Sequence, residues 1–148
     1  MNVYAREAKP GDTWLVLPTV RAGDVEELAA LDTTPEQCMR FGLQASKRSW
    51  MLFIDEEPAG MFGHVEHDGY AVPWAVVTTA AEKHPIPFLR MSRAFIRSLT
   101  MPLVNMVDAR NTQVIRWLEW LGFTIEEPVP YGKNGELFHR FTRCAIRH

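Results

Sequence analysis

Glycine is missing from the middle of this chain: none stands between Gly69 and Gly122. That excludes from this span a loop whose backbone curls tightly around a phosphate, because such curls rely on residues without a β-carbon. Cysteine is nearly missing too. Cys38 and Cys144 lie far apart and form no CxxC pair, so no disulfide framework is expected, and a reducing cytoplasm is the default location. No apolar run approaches the roughly 18 residues of a membrane span. The charged start MNVYAREAKPGDTW has no apolar stretch of the signal-peptide kind. A formal net charge of -2 gives no overall pull toward nucleic acid, and no nucleic-acid partner is expected. No serine sits in a nucleophile elbow. His64 and His67 are three apart, on opposite faces of a strand, so no metal site is expected.

What is present suits one domain, residues 1–148, with 47% hydrophobic residues to build a core. Leu103 to Phe123 organises it. Leu103 to Val107 is a short apolar run of the kind covered on both faces. Asp108 to Asn111 is turn chemistry, with Asn111 placed to cap a helix. Val114, Trp117, Leu118 and Leu121 then recur on one helical face, and Gly122 stands where a left-handed stop belongs.

Elsewhere the spacing predicts a strand from Val3 to Ala8 and a helix from Val25 to Leu31, begun by an Asp24–Glu27 capping box. A second helix starts at Thr34-Pro35 and runs to about Ala45, weakened at Gly42 by roughly 1 kcal/mol. Trp50–Asp55 and Ala59–Glu66 form a hairpin, and Asp68-Gly69 turns into a third strand, Ala71 to Thr79. Pro85 and Pro87 precede a helix ending near Leu99 with Phe88, Met91, Phe95 and Leu99 inward. Phe123–Val129 and Leu137–Cys144 close the chain. The class is α+β: a mixed, mostly antiparallel sheet of about seven strands with helices on both faces.

This order resembles the GNAT fold of acetyl-CoA-dependent N-acetyltransferases. Asn111, Val114, Ile115 and Gly122-Phe123 match that family's helix between its fifth and sixth strands. More narrowly, nearly the whole chain is similar to a phage-encoded group that includes internal virion protein A of short-tailed phages. The shared features are Arg21–Asp24–Glu27, Pro73-Trp74, Asn105…Asp108-Ala109-Arg110-Asn111, Ile115-Arg116-Trp117-Leu118 and Gly132…Gly135…Phe138…Phe141. The resemblance implies coenzyme A contacts at Val76, Thr78, Thr79, Lys83 and Asn111, and Glu66 as a general base.

Two departures stand out. The family's diphosphate loop is Arg/Gln-x-x-Gly-x-Gly/Ala; the matching Thr78–Pro87 has no glycine, carries Glu82, and loses two donors at Pro85 and Pro87. The family's proton-donating Tyr falls on Leu118, which has no proton to give. The expectation is therefore an accessory or virion-assembly protein with a degenerate, weak coenzyme A site and no required cofactor. The alternative is a divergent N-acetyltransferase acting on an amine.

Arg90, Arg93 and Arg97 share a helix face opposite the apolar one and read as a solvated stripe or a binding patch. Trp14, Trp50, Trp74 and Trp117 are expected in the core. Trp120 falls on the polar side, either a contact for a protein partner or covered by the closing hairpin.

Overall fold

A computed structural model describes residues 1–146. Its strands are β1 (Val3–Glu7), β2 (Ser49–Ile54), β3 (Glu57–His67), β4 (Tyr70–Val77), β5 (Leu103–Asp108), β6 (Thr124–Ile125), β7 (Val129–Pro130) and β8 (Leu137–Arg143). Its α-helices are α1 (Thr13–Val16), α2 (Ala22–Ala30), α3 (Pro35–Ala45), α4 (Thr79–Lys83), α5 (Pro85–Ser98) and α6 (Thr112–Trp120). The strands make one sheet in the order β1-β2-β3-β4-β5-β8-β6, with β7 also paired to β8. Every pairing is antiparallel except β4 with β5.

Strand alternation divides the core between the two faces. Met51, Phe53, Met61 and Val76 pack with Val16 and Met39 beneath α1, α2 and α3. On the other face Leu103, Val107 and Phe141 meet Ile96 of α5 and the apolar side of α6, and Val77 meets Trp117. The expected inward residues of α5, Phe88, Met91, Phe95 and Leu99, all join these clusters. Gly122 has φ +98° and ends α6 as its position implied. Thr34 caps α3, its hydroxyl accepting from the Gln37 N–H at 3.2 Å.

Several expectations need correction. Against about seven expected strands, eight form among the described residues, because Phe123–Val129 is split: Pro128 and Pro130 lack the N–H groups a continuous ladder needs. The stretch Thr78 to Pro87 is not one loop: Thr79–Lys83 is α4, and after a break at His84 the first turn of α5 begins at Pro85. Trp14 lies outside the core at 61% exposure, on a short α1 that the sequence left undefined. Gly42 is no mere weak point: a β-carbon there would stand 2.3 Å from the Trp74 ring, so the helix needs glycine for that ring to pack. Arg143, unremarked in the sequence, donates to the carbonyls of Ile96, Leu99 and Met101 and ties the end of α5 to β8. None of the described helices is long and apolar enough to cross a membrane.

Candidate active site

The site begins with a failure of pairing. β4 and β5 run parallel and match at one position, Ala71 with Leu103, where the Ala71 N–H donates to Pro102 at 2.9 Å. Beyond it they diverge. Because Ala71 faces β5, alternation turns the backbone of Pro73, Ala75 and Val77 toward the widening gap, while Val72, Trp74 and Val76 serve β3.

The stranded groups of Pro73 and Val77 are answered from outside the sheet, two by side chains and one by a backbone N–H. Asn105 Nδ2 donates to the Pro73 carbonyl at 2.7 Å. Asp24 accepts from the Val77 N–H at 2.9 Å, and the Val77 carbonyl accepts from the Arg21 N–H at 2.9 Å. Across the gap, Glu27 Oε1 accepts from the Asp108 N–H at 2.7 Å. Asp24 and Glu27 are thus one helical turn apart and each holds the end of one strand. The capping-box reading of this pair is incorrect: α2 starts at Ala22, two residues before Asp24, and both carboxyls point into the sheet.

A buried polar cluster closes the wide end of the gap. Arg21 pairs with Asp24, donates to Gln113 at 3.0 Å and Asn111 at 3.4 Å, and lies 5.2 Å over the Trp117 ring. Its Nε stands 3.3 Å from Glu82 Oε2 without the alignment of a hydrogen bond. Burial pushes the Glu27 carboxyl up to about 7, and burial also raises Asp24 against the pull of Arg21. Desolvation would raise Asp108 as well, but the bonds from Arg110 outweigh it and hold that carboxyl below its usual value.

Inward of this cluster the gap opens into a cavity of about 490 Å³ that reaches both faces of the sheet. Its wall is mainly apolar, with Phe41 and Leu31 on the α2–α3 side and Phe95 and Leu118 on the α5–α6 side. Ala75 is exposed, and alternation turns its backbone N–H and carbonyl away from β3 into the gap, beyond the one β4–β5 pair.

The sequence-predicted site residues fall in three places. Asn111 is buried in the polar cluster. It occupies the cap position of α6 without making a side-chain cap, because its amide is committed to Arg21 and Glu27. Val76 is displaced from the gap: its side chain is buried under α3 and its backbone faces β3. Thr78 and Thr79 begin α4. The Thr78 hydroxyl accepts from the Ala80 N–H and donates to the Pro58 carbonyl at 2.7 Å, and the Thr78 carbonyl accepts from Ala81. Lys83 is exposed and reaches toward Glu57, 4.0 Å away.

Glu66 lies elsewhere. It lines a separate groove with Trp50 and His64, is exposed, and pairs with Lys47 at 3.1 Å and His64 at 3.2 Å. The Lys47 and His64 bonds hold its pKa below the usual carboxylate value, the wrong direction for a base. Reasoning from sequence missed Glu27 as a site residue: Arg21–Asp24–Glu27 was a shared feature of the resemblance, but the carboxyl spacing was assigned to a helix start.

Coenzyme A, which the resemblance implies, meets this site unevenly. The cavity and the free edge at Ala75 suit an acyl group and its thioester arm. The diphosphate does not fit the residues present. The N–H groups of Ala80, Ala81 and His84 are used in and around the α4 turn, Ala80 and Ala81 are buried, and Glu82 sets a carboxylate beside Arg21.

No family model matches the chain, and no curated protein matches it. Solved structures do match, over nearly its full length. Ard1 from Thermoplasma volcanium superposes with a TM-score of 0.75 at 14% identity, covering 99% of this chain and 100% of that one. An acetyltransferase of the GNAT family from Bacillus anthracis gives 0.72 at 11% identity, covering 97% and 95%. The aminoglycoside acetyltransferase AAC(6′)-Ib, solved with coenzyme A, gives 0.67 at 17% identity, covering 97% and 96%. The strand order, the single β4–β5 pair and these superpositions agree: the chain has the GNAT acetyltransferase fold.

Proposed function

We propose that this protein is an N-acyltransferase of the GNAT fold that acts on an amine. The observation that carries the reading is the cavity in the β4–β5 gap. It joins both faces of the sheet, so that a donor and an acceptor can meet from opposite sides, and on its wall the half-buried Glu27 carboxyl is raised to about 7 by desolvation. The solved structures of like fold are acetyltransferases, which favours this reading over an accessory role. Glu27 is poised to accept an ammonium proton at neutral pH, and Ala75 offers backbone groups to an extended ligand. The diphosphate does not fit the residues present, and Val76, Thr78, Thr79 and Lys83 offer it no free backbone cradle.

The test is thiol release from acetyl-CoA at about 1 mM with a panel of amines, wild type against Glu27→Gln. Amine-dependent release that falls at least tenfold in the variant supports the reading; no release with any amine overturns it.

A second reading rests on the closed polar cluster. If Arg21 never leaves it, the protein is an accessory factor that has kept the fold and lost the cofactor, the phage-assembly role among the possibilities. Its partner contact would then be Trp120, half-exposed on α6 under the Arg93 guanidinium at 4.5 Å.

A further inference from the structure

We infer that the cavity takes an amine with an apolar body, entering between α2 and α3 and held at its nitrogen by Glu27 Oε2. This rests on the acceptor side of the proposed function, and it concerns which amine that is.

The polar atoms of the wall decide it. Both oxygens of Asp24 are taken, one by Arg21 and one by the Val77 N–H. Asn105 is committed at both ends of its amide, to Pro73 and to the Met106 N–H. The Ser92 hydroxyl donates to the Phe88 carbonyl, and the Gln37 carbonyl oxygen accepts from Thr33. Glu27 differs. Both of its hydrogen bonds, from the Asp108 N–H and from Asn111, end on Oε1, and Oε2 accepts none among the described residues. Beyond the uncharged backbone groups of Ala75, the cavity therefore offers a ligand one free acidic oxygen in a mainly apolar wall.

That arrangement selects by chemistry. A carboxylate ligand would set two negative groups together in a low dielectric. A polyamine or an aminoglycoside would bring several charges and hydroxyls to a wall with one acidic oxygen, leaving the rest desolvated and unpaired. A single ammonium on an alkyl or arylalkyl body matches both features. Its charge pairs with Glu27, and its hydrocarbon replaces water against Leu28, Leu31, Phe41 and Trp74. Phe41, 65% exposed, and the exposed Gln37 mark the rim on the α2–α3 side. Once bound, the ammonium can pass one proton to Glu27, leaving a neutral amine and a neutral carboxyl.

The test uses no coenzyme, so it stands or falls apart from acyl transfer. Calorimetry compares 2-phenylethylamine with 2-phenylethanol, and hexylamine with hexanol, on the full chain at pH 6 and pH 8. The amines should bind at least tenfold more tightly than the alcohols at pH 8. Their affinity should rise close to tenfold from pH 6, as the carboxyl ionises. In Glu27→Gln the preference should shrink to about twofold. Cys38 lines the same cavity while Cys144 is exposed, so bound amine should slow alkylation of Cys38 and leave Cys144 reactive. Equal binding of amine and alcohol by the wild type, binding of neither, or amine binding without protection of Cys38 would each overturn the inference. The wild-type comparison needs no variant to fold.

Discussion

Glu27 holds its proton more tightly folded than unfolded, and that has a direction in pH. Its carboxyl moves from 4.5 to about 7 on folding, so between those values the native state carries a proton that the unfolded state has lost. Stability from this group is present below pH 4.5 and falls as pH rises to about 7, by about 3 kcal/mol in all. Asp24, raised as well, acts in the same sense, whereas Asp12 and Asp108 are lowered and lose their contribution at more acid pH. Glu27→Gln keeps an oxygen for the Asp108 N–H and cannot ionise. Relative to wild type it should therefore gain about 2–3 kcal/mol between pH 5 and pH 8; parallel denaturation profiles would show that Glu27 titrates normally. Gly42 gives a second prediction at this scale. Helix propensity alone says that Gly42→Ala stabilises by about 1 kcal/mol. The Trp74 ring, held by its bond to Ser46 at 2.9 Å, occupies the space of that methyl. Net destabilisation of about 1–2 kcal/mol is expected, and a raised melting temperature would mean that the ring moves aside freely. Two tryptophans one turn apart should also separate. Trp117→Ala should cost about 3–5 kcal/mol from a buried site against Val77 and Ala81, and Trp120→Ala under about 1 kcal/mol, by denaturant titration.

At the scale of elements, α2 explains both what was legible and what was not. Periodicity found the strand–helix unit from Leu103 to Gly122, the β2–β3–β4 meander and α5 because each follows from neighbours in the chain. The Asp24–Glu27 spacing looked the same whether the carboxyls turn back to their own helix or out to Val77 and Asp108. Those partners are 53 and 81 residues away, and no local pattern announces them. The glycine-free character of the stretch after β4 was legible, but its α4 turn was not, because five residues carry too little period. The α2 start also gives an element-level prediction. Arg21→Ala removes the cation beside a buried Asp24 and should destabilise by about 3–5 kcal/mol at pH 7. The loss should shrink as pH falls, because the buried Asp24 carboxyl has a raised pKa and takes up a proton, and Arg21→Ala with Asp24→Asn should recover part of it. A loss that does not depend on pH, with no recovery in the double variant, would place the role of Arg21 in its packing on Trp117 instead.

For the molecule as a whole, the fold and the cofactor it implies can be set against each other in one measurement. A GNAT sheet with an open β4–β5 gap offers an acyl arm a lane, and here Ala75 still borders it. The charged half of coenzyme A lacks its counterpart. The N–H groups of Ala80 and Ala81 are turned into α4, Pro85 and Pro87 have none, and Glu82 places a negative charge beside Arg21. The Arg21–Asp24 pair sits beside this stretch, and any movement of it on binding is subtracted from whatever the acyl arm gains. Coenzyme A should therefore bind with a dissociation constant of about 0.1 mM or weaker. At about 1 mM ligand that limit stabilises by no more than about 1.4 kcal/mol, or about 3–6 °C in melting temperature for a domain of this size. Acetyl-CoA should behave alike, and Asp24→Asn, which loosens the hold on Arg21, should tighten both severalfold. Micromolar binding to the wild type would mean that the closed cluster opens at little cost, which would return Thr78, Thr79 and Lys83 to the coenzyme. No shift at all, with amine binding intact, would leave a GNAT fold that retains its acceptor cavity and has given up its donor.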